Sequence, residues 1–345
     1  MEPLSAVSKN RIPWIDLARV LAMYFVILSH TQGSAPWCTL PTQGGVMLFF
    51  FLAGYFSPRN AGKSWNRVMW LGISWTAWAV IAGCLAYVTA TLYPNDPQAT
   101  VWKDHLGAIW IIRNAFGLGE HPFLVVLWFL CNLFVYQTVY AACRIYCWCT
   151  LHIYSLVLLL LILWGTTNYS IPYIHHAGIL CFLSGAGMRS IKPGDLAQAM
   201  RKRLWILLPL VILAWSAFFF HGQSYLFEAP WTWLMFPLLA GGGLALLLLA
   251  LFLFPLGGKI TSYLAHMGPA LMWIYGAHIP LYRVLKAALR AIAGHPVELN
   301  AAAALISFFI LYYLYLLFQK LFPLPMSILC LGARTKPFRA TQHQG

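Results

Sequence analysis

Three ionisable residues stand inside one apolar stretch. Asp16, Arg19 and His30 fall within "RIPWIDLARVLAMYFVILSH", residues 11–30. Charge in hydrocarbon is costly, so such groups normally face a bundle interior or a water-filled cavity. Arg19 and His30 are eleven residues apart, about three helical turns, which places them on one face and about 16 Å apart along the axis. Asp16 precedes Arg19 by three positions and can pair with it across one turn. An imidazole can act as general base on a hydroxyl, and a guanidinium recognises phosphate. Blander roles stand beside these: His30 as an interfacial histidine ending the helix, and Asp16 with Arg19 as a juxtamembrane ion pair.

The next apolar run, "GGVMLFFFLAGYF", is followed by Arg59, Lys63 and Arg67. These lie on the same predicted side as Arg19. Such a cluster can hold phosphates by charge and hydrogen bonding, although a cytoplasmic orientation signal explains it equally well.

The elements that must position these groups are membrane helices. Of 345 residues, 61% are hydrophobic, and eight acids with 22 bases cannot cover a soluble surface, where about a quarter of residues are charged. Near-spanning apolar runs recur throughout, which predicts an all-α polytopic membrane bundle. Ten spans are expected: 13–31, 45–57, 68–92, 123–142, 145–165, 173–189, 204–221, 231–254, 262–282 and 301–322. The 94–122 connection contains "HLGAIWIIRNAFG", a candidate interfacial or re-entrant segment. The first run carries no cleavage pattern and is expected to be retained. One membrane unit over 1–345 is expected, with short cytoplasmic tails at about 1–12 and 323–345.

The net charge of +14 does not form a basic face interleaved with aromatics, so no nucleic-acid partner is expected. The bases sit in alternate gaps: Lys9 and Arg11; Arg59, Lys63 and Arg67; Arg144; Arg189, Lys192, Arg201, Lys202 and Arg203; Lys259; Arg334, Lys336 and Arg339. That alternation predicts both termini in the cytoplasm. Most tryptophans and tyrosines suit interfacial belts and lipid contacts. Cys147, Cys149 and His152 weakly resemble a metal site but lack a second pair of ligands, so no metal is predicted.

The motifs together resemble the membrane-bound acyltransferase-3 family. "WIDLARVLAMYFVILSHT" matches that family's opening, in which an acidic residue precedes a basic residue, ten further residues and histidine. "FFFLAGYF" is similar to its phenylalanine run ending in Ser-Gly-Tyr, with Ala53 in place of the serine. "LWFLCNLF" resembles a further block and brings Trp128 and Phe129. "TSYLAHMGPALMWIYGAHIPLYRVL" resembles the late Ser-Tyr…Ile-Tyr…His block and brings Tyr275 and His278.

That resemblance implies transfer of an acetyl or other small acyl group from acetyl-CoA to a hydroxyl of an envelope carbohydrate or lipid-linked sugar, in a bacterial cytoplasmic (inner) membrane. His30 is then the expected general base, with Asp16 orienting Arg19. Arg19, Arg59, Lys63 and Arg67 are expected to contact CoA, the acyl donor. Trp128, Tyr275 and His278 would stand near the substrate, with core packing as the other role for His278. A covalent acyl-histidine remains open. The competing class is a transporter or flippase, because buried charges and glycine-interrupted spans also describe substrate pathways.

Overall fold

The computed structural model describes residues 11–30, 36–92, 108–116, 118, 127–145, 152, 155–156, 159, 176–226, 232–293 and 298–330. Among these residues the chain is helical, with no strand. The helices are α1 (Pro13–Ser29), α2 (Pro36–Tyr55), α3 (Ala61–Leu92), α4 (Ala108–Ala115), α5 (Leu127–Ile145), α6 (His176–Met188) and α7 (Pro193–Lys202). There follow α8 (Leu204–Leu226), α9 (Thr232–Leu256), α10 (Gly258–His266), α11 (Leu271–Ala293), α12 (Glu298–Leu321) and α13 (Pro323–Leu329).

Helix α2 is the hub, packed against α1, α6 and α9. Its glycines set how closely those neighbours approach. A methyl group on Gly54 would overlap the Phe182 carbonyl of α6, and one on Gly185 would overlap the Phe51 carbonyl of α2. Gly44 meets the Gly242 backbone of α9 in the same way. Small residues at these crossings bring backbones into contact, the usual means of packing helices where lipid supplies no hydrophobic drive between them. The interior then fills with Phe50, Tyr136, Phe182 and Met23, all buried.

Three helical stretches among the described residues are long and apolar enough to cross a bilayer: Ala61–Val88, Leu238–Leu256 and Ala301–Leu321. Helix α8 turns Trp205, Leu208, Ile212 and Leu213 outward, an apolar surface suited to lipid. The expected span at 145–165 lies largely outside the described residues, as do Cys147 and Cys149.

Several expected boundaries move. Helix α2 starts at Pro36 rather than 45, passing through Pro41; Thr42 ties this stretch to α1 by donating from Oγ1 to the Phe25 carbonyl at 2.9 Å. The stretch expected as one span over 262–282 is divided. Helix α10 ends at His266, a single 3-10 turn covers Gly268–Ala270, and α11 begins at Leu271. Pro269 has no N–H and cannot extend α10. The 323–345 segment begins with α13, where Met326 is buried. The Leu329 carbonyl accepts from Ser74 Oγ at 3.1 Å and Trp78 Nε1 at 3.3 Å, which docks this helix on α3. Within the expected 94–122 connection, α4 packs on α3, and Trp75 Nε1 donates to the Phe116 carbonyl at 3.1 Å.

Because Gly54 and Gly185 meet backbone rather than flexible side chains, there is no tip of a side chain to move aside. Gly54→Val should separate α2 from α6, with an overpacking cost of about 1–3 kcal/mol or more. Fluorescence-detected size exclusion should show loss of the monodisperse peak, whereas Gly83→Ala, at a site with open space around it, should retain it.

Candidate active site

Helix α1 supplies the first wall. Pro13 opens it, where the missing N–H is harmless, and Ile15, Leu17, Ala18, Ala22 and Met23 are buried against neighbours. Asp16 is buried, 8% exposed. Its carboxylate is shared. Arg11 approaches Oδ2 at 2.9 Å, and Arg19 approaches Oδ1 at 3.5 Å. Arg11 also donates from Nη2 to the Ala265 carbonyl at 2.7 Å. It thereby reaches across to the end of α10, one turn before the break at Gly268. A Cβ on Gly268 would stand 2.8 Å from Arg11 Nη2 and 3.0 Å from Asp16 Oδ1. The expected Asp16–Arg19 pair is present, but Arg11 is the closer partner of Asp16.

Arg19 has a second neighbour. Arg67, on α3, lies within its electrostatic reach, and Arg67 Nη1 donates to the Phe56 carbonyl at 3.0 Å. Both side chains are half-buried. Two guanidinium groups repel each other, and among the described residues both ion pairs use the single carboxylate of Asp16. A polyanion placed between Arg19 and Arg67 would relieve that repulsion.

Arg59 and Lys63 are exposed in the approach to α3 and on its first turn. Asn60 Oδ1 accepts from the Lys63 backbone N–H at 3.2 Å and caps the helix. Arg59 lies beside Arg144 and Arg189. Arg144 donates from Nε and Nη2 to the Arg59 carbonyl at 3.2 and 2.7 Å, and Arg189 lies within electrostatic reach of Arg59. In the sequence alone, Arg11, Arg144 and Arg189 read as orientation signals. Their shared alternation was the available clue, since every one of them belongs to the same set of gaps.

The other end of α1 carries His30. Its ring lies against His278 of α11, with centroids 5.1 Å apart and planes tilted by 42°. His278 is fully buried. Its Nδ1 stands 2.7 Å from the Tyr275 carbonyl. A carbonyl only accepts, so Nδ1 carries the proton and Nε2 presents a lone pair. That Nε2 is buried and has no hydrogen-bond partner. Tyr275 is also buried, with its ring 6.0 Å from His278 and 5.0 Å from Phe129. Phe129 stacks at 4.6 Å on Phe50, and Trp128 lies 6.3 Å from Phe50. The aromatic wall therefore runs from α2 and α5 to the histidine pair. Of the residues expected near the substrate, Tyr275 and His278 adjoin His30, and Trp128 is joined to them through Phe50 and Phe129.

Comparison with family models assigns residues 12–319 to the acyltransferase domain of the acyltransferase-3 family. The chain belongs to that family. It is a membrane acyltransferase, and the match includes both the histidine pair and the arginines of α1 and α3. Comparison with curated proteins gave no match, and neither did comparison with solved structures. Among acyltransferase-3 features, the Ser-Gly-Tyr serine is absent here. Ala53 occupies its place, and its carbonyl accepts from Ser57 Oγ at 2.8 Å one turn later.

The geometry at Asp16 ranks its two partners. Arg11→Gln should lower thermal stability, by an amount on the order of the 1–3 kcal/mol that follows loss of charged hydrogen bonds. Arg19→Gln should lower it less, because Arg19 is more distant and its side chain is 35% exposed. Melting of the detergent-purified protein would show the order, and a larger loss in Arg19→Gln would contradict it.

Proposed function

We propose that the protein moves an acetyl or other small acyl group from acyl-CoA to a hydroxyl of a cell-envelope carbohydrate or lipid-linked sugar. In this reading the chain crosses a bacterial cytoplasmic membrane about ten times, with both termini inside. The observation that carries the proposal is the contact between His30 and His278, with the buried, unpartnered Nε2 of His278. The half-buried imidazole of His30 against the buried imidazole of His278, on a wall with Tyr275, provides a base and an acceptor where the surroundings are largely apolar.

The donor binds at the arginine end. Arg19 and Arg67 flank its diphosphate, and the pantetheine arm runs along α1 toward His30. The helical rise gives about 16 Å between Arg19 and His30, a distance that an extended arm can bridge. Asp16 and Arg11 hold the Arg19 side of the pocket in place. The acceptor hydroxyl approaches His30 from the opposite end.

Transfer then proceeds by direct attack. The hydroxyl oxygen bonds to the thioester carbonyl carbon while its proton passes to His30. The carbon–sulfur bond breaks, and the CoA sulfur leaves as a thiolate that takes the proton back from the imidazolium. His278 Nε2 accepts a hydrogen bond from the His30 ring as positive charge develops there. The surrounding apolar wall excludes water, which would otherwise compete for the thioester.

Membranes containing the protein and its envelope glycan would be given radiolabelled acetyl-CoA. Label should enter the glycan, fall by about 10²–10⁴-fold in His30→Ala, the range for loss of a general base, and fall clearly in Arg19→Ala. Undiminished transfer by His30→Ala would remove it from the reaction. His278→Ala should slow transfer less than His30→Ala does, and His278→Gln, which retains an acceptor, should recover part of that loss.

A further inference from the structure

Two residues weaken helix α11 where it carries His278. Gly276 and Pro280 flank that histidine at two positions on either side. Pro280 has no N–H to give the Gly276 carbonyl, and its ring crowds that carbonyl. Gly276 adds backbone freedom to the same turn, and a proline inside a helix is a usual site of kinking. Such a turn has little of its own to hold an imidazole at one place beside His30.

Trp78 of α3 supplies a brace from outside the helix. It is buried, and a methyl group on Gly276 would overlap its six-membered ring. The missing side chain thus lets the indole rest directly on the α11 backbone, at a point between Tyr275 and His278 in the chain. The indole also stands 5.8 Å from the Trp273 ring, three residues earlier on α11.

The indole is fixed in turn by α13. Leu329 is the last residue of that helix, so its carbonyl has no donor within the helix. Trp78 Nε1 and Ser74 Oγ both donate to it, at 3.3 and 3.1 Å. Met326 is buried, and α13 packs on α3, α11 and α12. Helix α13 lies beyond residues 12–319, the stretch that matches the family domain.

We infer that Trp78 is a positioning residue for His278, and that α13, outside the family domain, holds Trp78 in place for transfer. Contact runs from the Leu329 carbonyl to the indole, and from the indole to the Gly276 backbone. The His278 ring follows two residues later. This rests on the histidine pair acting in transfer, as proposed above.

Transfer from radiolabelled acetyl-CoA to the envelope glycan would be followed over a range of donor concentrations, with rates scaled to the amount of monodisperse full-length protein. Calorimetric titration would give CoA affinity separately. Trp78→Leu and Gly276→Ala should each lower kcat by about tenfold, as a misplaced group does, and neither should lose more than His278→Ala. CoA affinity should stay at the wild-type value in both. Trp78→Phe, which keeps a ring, should recover part of the loss in Trp78→Leu. Met326→Gln, which loosens α13, should lower kcat by about threefold or more. The Gly276→Ala/Trp78→Leu double variant should lose no more than Trp78→Leu alone, because the added methyl then meets no indole.

Unchanged kcat in Trp78→Leu and Met326→Gln would overturn the brace. So would losses that multiply in the double variant, or a fall in CoA affinity as large as the fall in kcat. Each of these leaves His278 in the reaction. Undiminished transfer by His278→Ala would instead overturn the role of the histidine pair, and the brace with it.

Discussion

The arrangement depends on backbone contact at the glycines of α2. Gly44 against α9 and Gly54 with Gly185 against α6 let three helices share one centre. On the same helix, Phe50 reaches Phe129 of α5, and Phe129 reaches Tyr275 of α11. The histidine pair lies at the end of that aromatic chain. A bundle with ordinary side chains at those crossings would hold the same helices farther apart and leave His30 and His278 without a common wall.

Charge is divided along α1 with equal economy. At one end Asp16 accepts both Arg11 and Arg19, and Arg11 fastens that end to the Ala265 carbonyl. The break at Gly268–Ala270 is what makes room, since a side chain at Gly268 would meet Arg11 and Asp16. At the other end the groups are imidazoles, which can be neutral and so tolerate the apolar surroundings that a fixed charge would not. Permanent cations stand where a polyanion could neutralise them, and the titratable ring stands where a proton would be moved.

Much of this site was legible in the sequence, for identifiable reasons. The common face of Arg19 and His30 follows from helical period alone, and the Asp16 pair follows from i,i+3 spacing. The meeting of His30 with His278 is a contact between residues far apart in sequence, which period cannot give; the family resemblance implies only that His278 stands near the substrate. Arg11, Arg144 and Arg189 were hidden by a different effect. Positive residues at one end of a membrane bundle have a sufficient explanation in orientation, so their convergence carried no separate signal. Helix α2 begins before the expected start at 45, because the tie from Thr42 to the Phe25 carbonyl of α1 holds the stretch around Pro41 within the helix. Conversely, the Gly268-Pro269 pair was a visible breaker inside a run whose hydrophobicity suggested continuity.

The central claim is that the two ends of α1 have different work: Arg19 holds the donor and His30 moves the proton. Calorimetric titration of CoA into the purified His30→Ala and Arg19→Gln proteins separates these directly. The account predicts wild-type affinity in His30→Ala, despite its lost transfer, and affinity weakened by about tenfold or more in Arg19→Gln. Wild-type CoA affinity in Arg19→Gln, or an equal loss of affinity in both variants, would contradict it.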